Sequence, residues 1–401
     1  MPENKRLNIL FLTPRFPYPL IGGDRLKPYY LLSHLAKKHK VTLVTFYQGG
    51  ELPKSYLREI QNLGLDVKII ELDPINAGIS ILGRIFGKLP IEVSYYTQKE
   101  YRNTVNQLIE KENYDLAVAF YIRTAEYIKC HHIKKILVAE DCRTLYQKRS
   151  YLASKSILQR LIRFIDWKKL SKYEPSIIKK FDISTYVSEQ DVEEMQKISP
   201  EGRFELLSNG VDIEKFHPSS DFESRKDIIF AGKMDVYSNV LAAQRIVNEI
   251  LPLVRKEVPD ARLSIIGAKP VRIVRNMHNP VAGIEVISNV PDMLPYLQSA
   301  RVFLHPHWGG SGIQNKLLEA MACGCPVVTT PTGLQGISAK DGEEVLLGEM
   351  SAELAQRTIE ALQNIVLAEK ISLNCRRYIV NSHSWQKIYS KMDLLIESLK
   401  I

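Results

Sequence analysis

Apolar residues along this chain come in short unbroken runs. Between the runs they recur every three or four positions. Asn8 to Thr13 (NILFLT) is the first run and reads as a strand buried on both faces of a parallel sheet. Pro14 to Asp24, with three prolines and the pair Gly22-Gly23, is a loop. Arg25 to His39 carries Leu31, Leu32 and Leu35 at helical spacing, and Val41 to Phe46 is the next run. Strand, helix and parallel strand in succession predict an α/β, doubly wound sheet, with Gly22-Gly23 at the ligand-binding end of its first strand. The alternation continues with helices over Tyr56 to Leu63 and Thr97 to Glu112, and strands over Val67 to Leu72, Leu116 to Phe120 and Ile136 to Ala139. Glu140 and Asp141 follow the last of these directly. Ala77 to Tyr96 fits neither period and reads as a flap or a surface that touches lipid. Lys155 to Tyr173 is a basic amphipathic helix. It either lies on an anionic membrane or packs on the sheet with a solvated charged back. Ile183 to Val187 and Phe204 to Leu207 are strands, and Ser188 caps a helix over Glu189 to Ile198.

His217 to Lys226 is polar and without period, and reads as the linker between two domains. The pattern then restarts. Strands are expected over Asp227 to Ala231, Leu263 to Ile266 and Ile284 to Val286. Helices are expected over Asn239 to Glu257, Met293 to Ser299, Ser351 to Glu369 and Trp385 to Leu399. Two successive doubly wound domains are therefore predicted, residues 1–215 and 216–380, with 381–401 as a helix returning toward the first. Such a pair places one site in the cleft between the domains.

The stretch Val302 to Thr330 concentrates the candidate chemistry. Val302 to Leu304 is a strand, Gly309, Gly310 and Gly312 free the backbone, and Ile313 to Cys323 is a helix ended by Gly324 and Pro326. A glycine loop feeding a helix N-terminus is an anion site, because unpaired N–H groups and the helix dipole both favour negative charge. Lys316 on the first turn is misplaced for the helix alone and implies an anionic ligand. Glu319, three residues on, faces the same way. The plainer reading is an ordinary strand–helix loop with a Lys–Glu surface pair. His305 is expected to pack at the strand end and His307 to face the cleft. Neither has the company of a metal site.

Composition narrows this picture in a few places. The 401 residues are 45% hydrophobic and 25% charged, which is globular, and 54 Lys and Arg against 45 Asp and Glu give a net charge of +9. That charge suits anionic substrates or an anionic membrane. Its spread over many elements, without interleaved aromatics, argues against nucleic acid. Five irregularly spaced cysteines predict a reducing cytoplasm and no disulfide framework. No apolar run is long enough to span a bilayer, and Leu7 to Leu12 is too short for a secretion signal.

The motifs together resemble a known family. Gly312 to Val328, with K-x-x-E-A-M-A-C-G-x-P-V-V, is similar to the donor-binding signature of retaining GT-B glycosyltransferases of the family 4 type, in the form found among bacterial exopolysaccharide enzymes. Phe230 to Met234 (FAGKM), Ser208 to Phe216 (SNGVDIEKF), Val290 to Tyr296 (VPDMLPY), Thr332 to Gly336 (TGLQG) and the glycine pair after the first strand stand in the same order as in that family. The resemblance implies a GT-B fold of two Rossmann-like domains facing a central cleft. The first domain would bind the acceptor and the second a nucleotide-sugar donor, UDP- or GDP-linked.

Residue by residue, the resemblance implies that Lys316 and the N–H groups around Gly312 and Ile313 hold the diphosphate, with Lys233 beside them. Glu319 would take the ribose hydroxyls, and Val290 with Pro291 would line the base. Gly310 belongs to the same loop, and Gly22 and Gly23 would let the phosphate and sugar approach from the first domain. Ser311 stands where the family has its sugar-contacting glutamate, and Lys233 stands where an arginine is usual, replacing a bidentate fork with a point charge. Lys233 and Lys316 are the expected catalytic cations. Asp141 is the first-domain candidate for contacting acceptor or sugar, unless it only caps a helix or pairs with Arg143. Asp24 and Arg25 either hold substrate or only start their helix. No D-x-D motif is present, and the family needs no obligatory metal or other cofactor. The implied partners are the donor, a glycan or lipid-linked acceptor, and an anionic membrane reached through Lys155 to Lys172, with no nucleic acid. The expected place is the cytoplasm, at the inner face of the membrane. Two alternatives stay open on these residues: a nucleotide-sugar epimerase on the same fold, and a non-catalytic nucleotide- or carbohydrate-binding module.

Overall fold

A computed structural model describes residues 5–75, 77–78, 87–152, 154, 156–308 and 312–401. The chain divides into two compact units, Met1–Ser208 with Tyr389–Ile401, and Asn209–Ile388.

The first unit is built on a parallel sheet of β1 (Asn8–Thr13), β2 (Lys40–Tyr47), β3 (Asp66–Glu71), β4 (Leu116–Phe120), β5 (Lys134–Glu140), β6 (Ile183–Tyr186) and β7 (Phe204–Leu206). Their order is β3-β2-β1-β4-β5-β6-β7, so the winding direction reverses between β1 and β4. β1 is apolar from Ile9 to Leu12 because helices cover both faces of the sheet. Leu10 and Leu12 meet Tyr101 and Val105 of the helix Lys99–Lys111 on one side. β5 shows alternation across the two faces, and a register shift against β6 falls between Val138 and Glu140. Glu140 and Tyr121, at the ends of neighbouring strands, both take positive φ, 76° and 63°. For residues with side chains this is strained backbone, and it must be held by its surroundings.

Glu140 is held by Lys27. That lysine, on the helix Gly23–Lys38, is fully buried. Its Nζ donates to Glu140 Oε1 at 2.5 Å and to the Leu207 carbonyl at 2.6 Å. The pair therefore ties β5, the chain after β7 and the first helix together in one place. Burial works against both charges, raising Glu140 and lowering Lys27, and the short contact between them opposes both shifts.

The helix Ile157–Ile178 replaces the expected span of Lys155 to Tyr173; Lys155 lies outside the described residues. It runs on past Tyr173 because Ile177 and Ile178 join Leu170 and Tyr173 in the core. Its first half does not pack on the sheet with apolar residues inward. Ile157 is 88% exposed, Leu158 67% and Leu161 55%. Of Ala77 to Tyr96, Ile91–Tyr96 is a helix and Ala77 is buried, while 79–86 lie outside the described residues. The helix Arg143–Leu152 was not anticipated.

The second unit is a parallel sheet of β8 (Lys226–Ala231), β9 (Leu263–Gly267), β10 (Ile284–Ser288), β11 (Ala300–His305), β12 (Val327–Thr329) and β13 (Leu346–Leu347), ordered β10-β9-β8-β11-β12-β13. The period-2 alternation of β8 shows the double winding directly. Ile228 and Phe230 join one core with Val240 and Leu354, and Ile229 and Ala231 join another with Leu317 and Met321. Three expected elements differ. The helix expected from Asn239 runs Tyr237–Arg245, a π turn Ile246–Ile250, then Leu251–Glu257, because Pro252 has no N–H to give to the turn before it. Ser351 to Glu369 breaks at Asn364, whose Oδ1 accepts from Leu367 N and starts a second helix, Ile365–Ser382.

The third difference is the linker. His217 to Lys226 lies inside the second unit rather than between two domains. Arg225 is the reason. It is buried, and its guanidinium donates to the carbonyls of Cys323 at 2.7 Å and Gly324 at 2.9 Å, the orphan acceptors at the end of the helix Asn315–Ala322. The break in the chain instead falls at Ser208, and the chain re-enters the first unit at Tyr389.

Lys27→Met should lower the stability of the protein by about 3–5 kcal/mol, since it leaves Glu140 charged, buried and alone. The double substitution Lys27→Met with Glu140→Leu should recover most of that loss. Urea unfolding of the single and double variants measures the difference.

Candidate functional site

The C-terminal edge of a doubly wound sheet, at the point where its winding reverses, is where such folds bind ligands. In the second unit that point lies between β8 and β11. The loops that leave these two strands carry Lys233 and residues 306–314. Gly312 has φ 74°, and Gln314, the residue before the helix, is extended at ψ 96°. The helix therefore begins at Asn315 rather than at Ile313, which sets Lys316 at its second position.

Lys316 does not form the surface pair with Glu319 that its spacing allows; no ion pair joins them among the described residues. Its Nζ turns the other way and donates to Asn239 Oδ1 at 2.7 Å, over the ring of Phe230 at 5.2 Å. Asn239 Nδ2 in turn donates to the Lys233 carbonyl at 2.9 Å. One buried amide thus bridges the loop after β8 to the helix after β11, across the reversal. The glycines make this approach possible. A Cβ at Gly232 would stand 2.8 Å from Asn239 Nδ2, and one at Gly267 would stand 1.7 Å from the Gly232 carbonyl. The Lys233 side chain itself is exposed. Asn209 donates to Asn315 Oδ1 at 2.8 Å, so the SNG turn is fastened to the start of the same helix.

Glu319 is half-buried, and its carboxylate has no hydrogen-bond partner among the described residues. Burial raises its carboxyl to about 7, opposed first by Lys215 and then by Lys316. Burial also lowers the Lys316 ammonium to about 7, opposed by Glu319. His305, the last residue of β11, is buried with Nδ1 3.2 Å from Thr329 Oγ1. His307 stacks on it at 5.0 Å, and neither of its buried ring nitrogens has a partner among the described residues. Burial, with the Lys316 charge adding to it, lowers His307 to about 4, so the ring is neutral. Ile313 and Val290 are half-buried at the rim of the same core, and Gly336 at φ 81° packs against Ile313. Gly310 and Ser311 lie outside the described residues.

Gly22, Gly23 and Asp141 belong to the first unit. Gly22, at φ 97°, precedes the helix that Gly23 begins. Asp24 on that helix pairs with Arg15 at 2.7 Å. Asp141 Oδ2 accepts from Arg143 at 3.1 Å, which is the pairing its sequence neighbours allowed. Arg143 also meets Glu92 at 2.7 Å, and Glu92 meets Arg123 at 3.0 Å. The two arginines, stronger than the burial cost, hold Glu92 below the usual carboxylate range. Glu174 accepts the N–H groups of Arg143 and Thr144 at 3.0 and 2.8 Å and so caps the helix that follows.

Sequence reasoning missed Asn239, Lys27 and Glu92. Lys27 had a signal, a charge four positions before Leu31 on the apolar side of its helix. Asn239 and Glu92 are given away only by their partners.

Residues 225–364 match the family described as Glycosyl transferases group 1. A Klebsiella pneumoniae protein described as an uncharacterised 44.6 kDa protein in the cps region is 21% identical over 396 residues, 96% of this chain and 98% of that one. Among solved structures, sucrose-phosphate synthase from Thermosynechococcus elongatus is similar at a TM-score of 0.71 and 18% identity, covering 98% of this chain and 99% of that one. HepE of Anabaena, solved with UDP and glucose, is similar at 0.67 and 13%, covering 98% and 100%.

The folded state disfavours charge at both Lys316 and Glu319, with opposite dependence on pH. Lysine unfolded titrates near 10.5, so between about pH 7 and 10.5 the unfolded chain binds the extra proton and stability rises with pH. A glutamate unfolded titrates near 4.5, so between 4.5 and about 7 the folded chain holds the proton and stability falls as pH rises. Lys316→Met should therefore stabilise the ligand-free protein most below pH 7, with the gain fading toward pH 10. Glu319→Gln should stabilise it above pH 7 and not at pH 4.5. Urea midpoints across this range decide both.

The match to the Glycosyl transferases group 1 family thus fills most of the second unit, and the likeness of fold to these solved structures covers both units.

Proposed function

We propose that the chain transfers a sugar from a nucleoside-diphosphate sugar, held at the strand reversal of the second unit, to a glycan or lipid-linked acceptor. The single observation that carries this reading is Lys316, a cation kept largely from water at a helix start, with only an amide oxygen and a ring against its Nζ. Such an ammonium gains most from a dianionic phosphate. Lys316 and the N–H groups of Gly312 and Ile313 take the diphosphate, and Lys233, exposed beside them, adds its charge. Glu319 accepts from the ribose hydroxyls, and Val290 borders the base. The UDP and glucose bound by HepE support a UDP-sugar donor.

Departure of the nucleoside diphosphate is the step that develops negative charge, and Lys316 is already in place for it. We infer retention of configuration, with the departing phosphate taking the acceptor's proton on the same face, and no obligatory metal. On the first unit Gly22 and Gly23 leave room for phosphate and sugar. Asp141 acts through Arg143, which it orients. The cps-region relative supports a role in polysaccharide assembly. Among the described residues no helix is long and apolar enough to cross a membrane. This reading places the enzyme in the cytoplasm, at an anionic membrane face met through residues 155–172.

At a hundredfold excess over its Kd, a ligand that binds only the folded state adds about 2.7 kcal/mol. UDP or GDP should accordingly raise the melting temperature of the wild type by several degrees, and that of Lys316→Ala or Glu319→Ala much less. Equal responses from both variants and the wild type would put the donor elsewhere. Release of nucleoside diphosphate from a panel of nucleotide sugars, with and without lipid-linked acceptors, then tests transfer itself.

A further inference from the structure

One cavity far from Lys316 in sequence lies wholly in the first unit. It measures about 710 Å³, within the range of about 300–1,000 Å³ usual for small-ligand sites. Its apolar lining is Leu89, Phe164, Ile165, Tyr173 and Ile177, from the helix Ile157–Ile178 and the stretch Gly87 to Leu89. Its rim is cationic, with Lys88, Lys168, Lys169, Lys172 and Lys180 around the apolar floor. Lys88, Lys168, Lys172 and Lys180 have no ion pair among the described residues. Glu126, the acid that lines the groove, is already engaged by Lys129 at 2.8 Å and by the Tyr173 hydroxyl at 3.0 Å. A second basic hollow, with His131, His132, Lys134 and Lys179, shares Lys180 with the first.

An apolar trough ringed by lysines, four of them without an ion pair among the described residues, matches a molecule that is hydrocarbon at one end and anionic at the other. The outward Ile157, Leu158 and Leu161 continue the apolar surface along the same helix. Base-stacking aromatics on a basic track would point to nucleic acid. Here the aromatic and aliphatic groups form the floor of a trough, and the charges stand around it. We propose that this groove binds one hydrocarbon chain of an anionic lipid, with the lysine collar on its phosphate. This goes beyond adhesion of a helix to a bilayer, since it assigns a cavity that holds a chain. The segment Gly87 to Leu89, which lines the groove, comes just before Ile91. The helix that segment leads into is anchored by Asp166 on Ile91 N and carries Glu92 of the Arg123–Arg143–Asp141 network. A chain seated here therefore abuts the element that positions Arg143.

The protein carries its own probe. Cys130 lines the groove and is exposed, whereas the other four cysteines are buried. The rate of Cys130 alkylation by N-ethylmaleimide, followed by mass spectrometry on the full chain, reports occupancy. Dodecyl phosphate below its micelle concentration and phosphatidylglycerol vesicles should each slow the reaction at least fivefold. Inorganic phosphate and phosphatidylcholine vesicles should leave it within twofold. Protection should be lost in Lys168→Glu with Lys172→Glu, whose side chains are outside the core, and in Ser176→Trp, which fills the trough. Three results would overturn the proposal. These are a rate unchanged by dodecyl phosphate; vesicles that bind by flotation with Cys130 as reactive as before, which is adhesion alone; or protection by polyuridylate as strong as by lipid. The nucleotide-induced melting shift, measured on the same variants, is independent of all three, so a failed donor site and a failed groove are told apart.

Discussion

One hydrogen-bonded amide, Asn239, fixes the second unit's chemistry. Strands that wind away from each other leave a gap at their C-terminal ends, and loops from opposite sides of the gap have no ladder to hold them in register. Asn239 supplies the missing link, with its oxygen on Lys316 and its nitrogen on the Lys233 carbonyl. The same bond turns the Lys316 ammonium away from the Glu319 carboxylate. Close glycine packing at Gly232 and Gly267 is the steric condition for it.

The first unit solves a different problem with charge. Its C-terminal sheet edge gathers Glu92, Arg123, Asp141 and Arg143 into a partly buried lattice and closes Lys27 on Glu140 deeper in. Buried ion pairs of this kind add little net stability, but breaking one is costly, so they specify geometry. Here the geometry specified is strained, since Glu140 and Tyr121 both sit at positive φ. The strained backbone at this sheet edge is held in place by buried charge pairs.

Much of this was legible in the sequence. β1, β4 and the helix Glu189–Ile198 carry unambiguous periodicity, and Ser188 caps as expected, accepting from Asp191 N at 3.1 Å. The place of Lys316 at a helix start was visible too, as a cation where a helix alone would not want one. What stayed hidden depends on long-range partners. Nothing local marks Asn239 as a bridge, or Arg225 as the residue that turns a polar, linker-like stretch into part of a core. β13, two residues long, has too little pattern to detect. The exposed apolar half of Ile157–Ile178 could be read as amphipathic, but only the fold shows which half packs and that a cavity lies beneath it.

The path of the chain carries a last consequence, for synthesis rather than for chemistry. The first unit is completed by Tyr389–Ile401, where Asp393 meets His34 and Lys38 at 2.9 and 2.7 Å and Tyr389 stacks on His34 at 4.3 Å. A ribosome delivers those residues only after the whole of Asn209–Ile388 has emerged. Throughout that interval the first sheet exists without its closing helix, and the later unit can reach its own fold first. A chaperone or protease that surveys nascent chains would meet the amino-terminal half in this unfinished form. Cutting the gene at the obvious domain border would preserve that condition permanently.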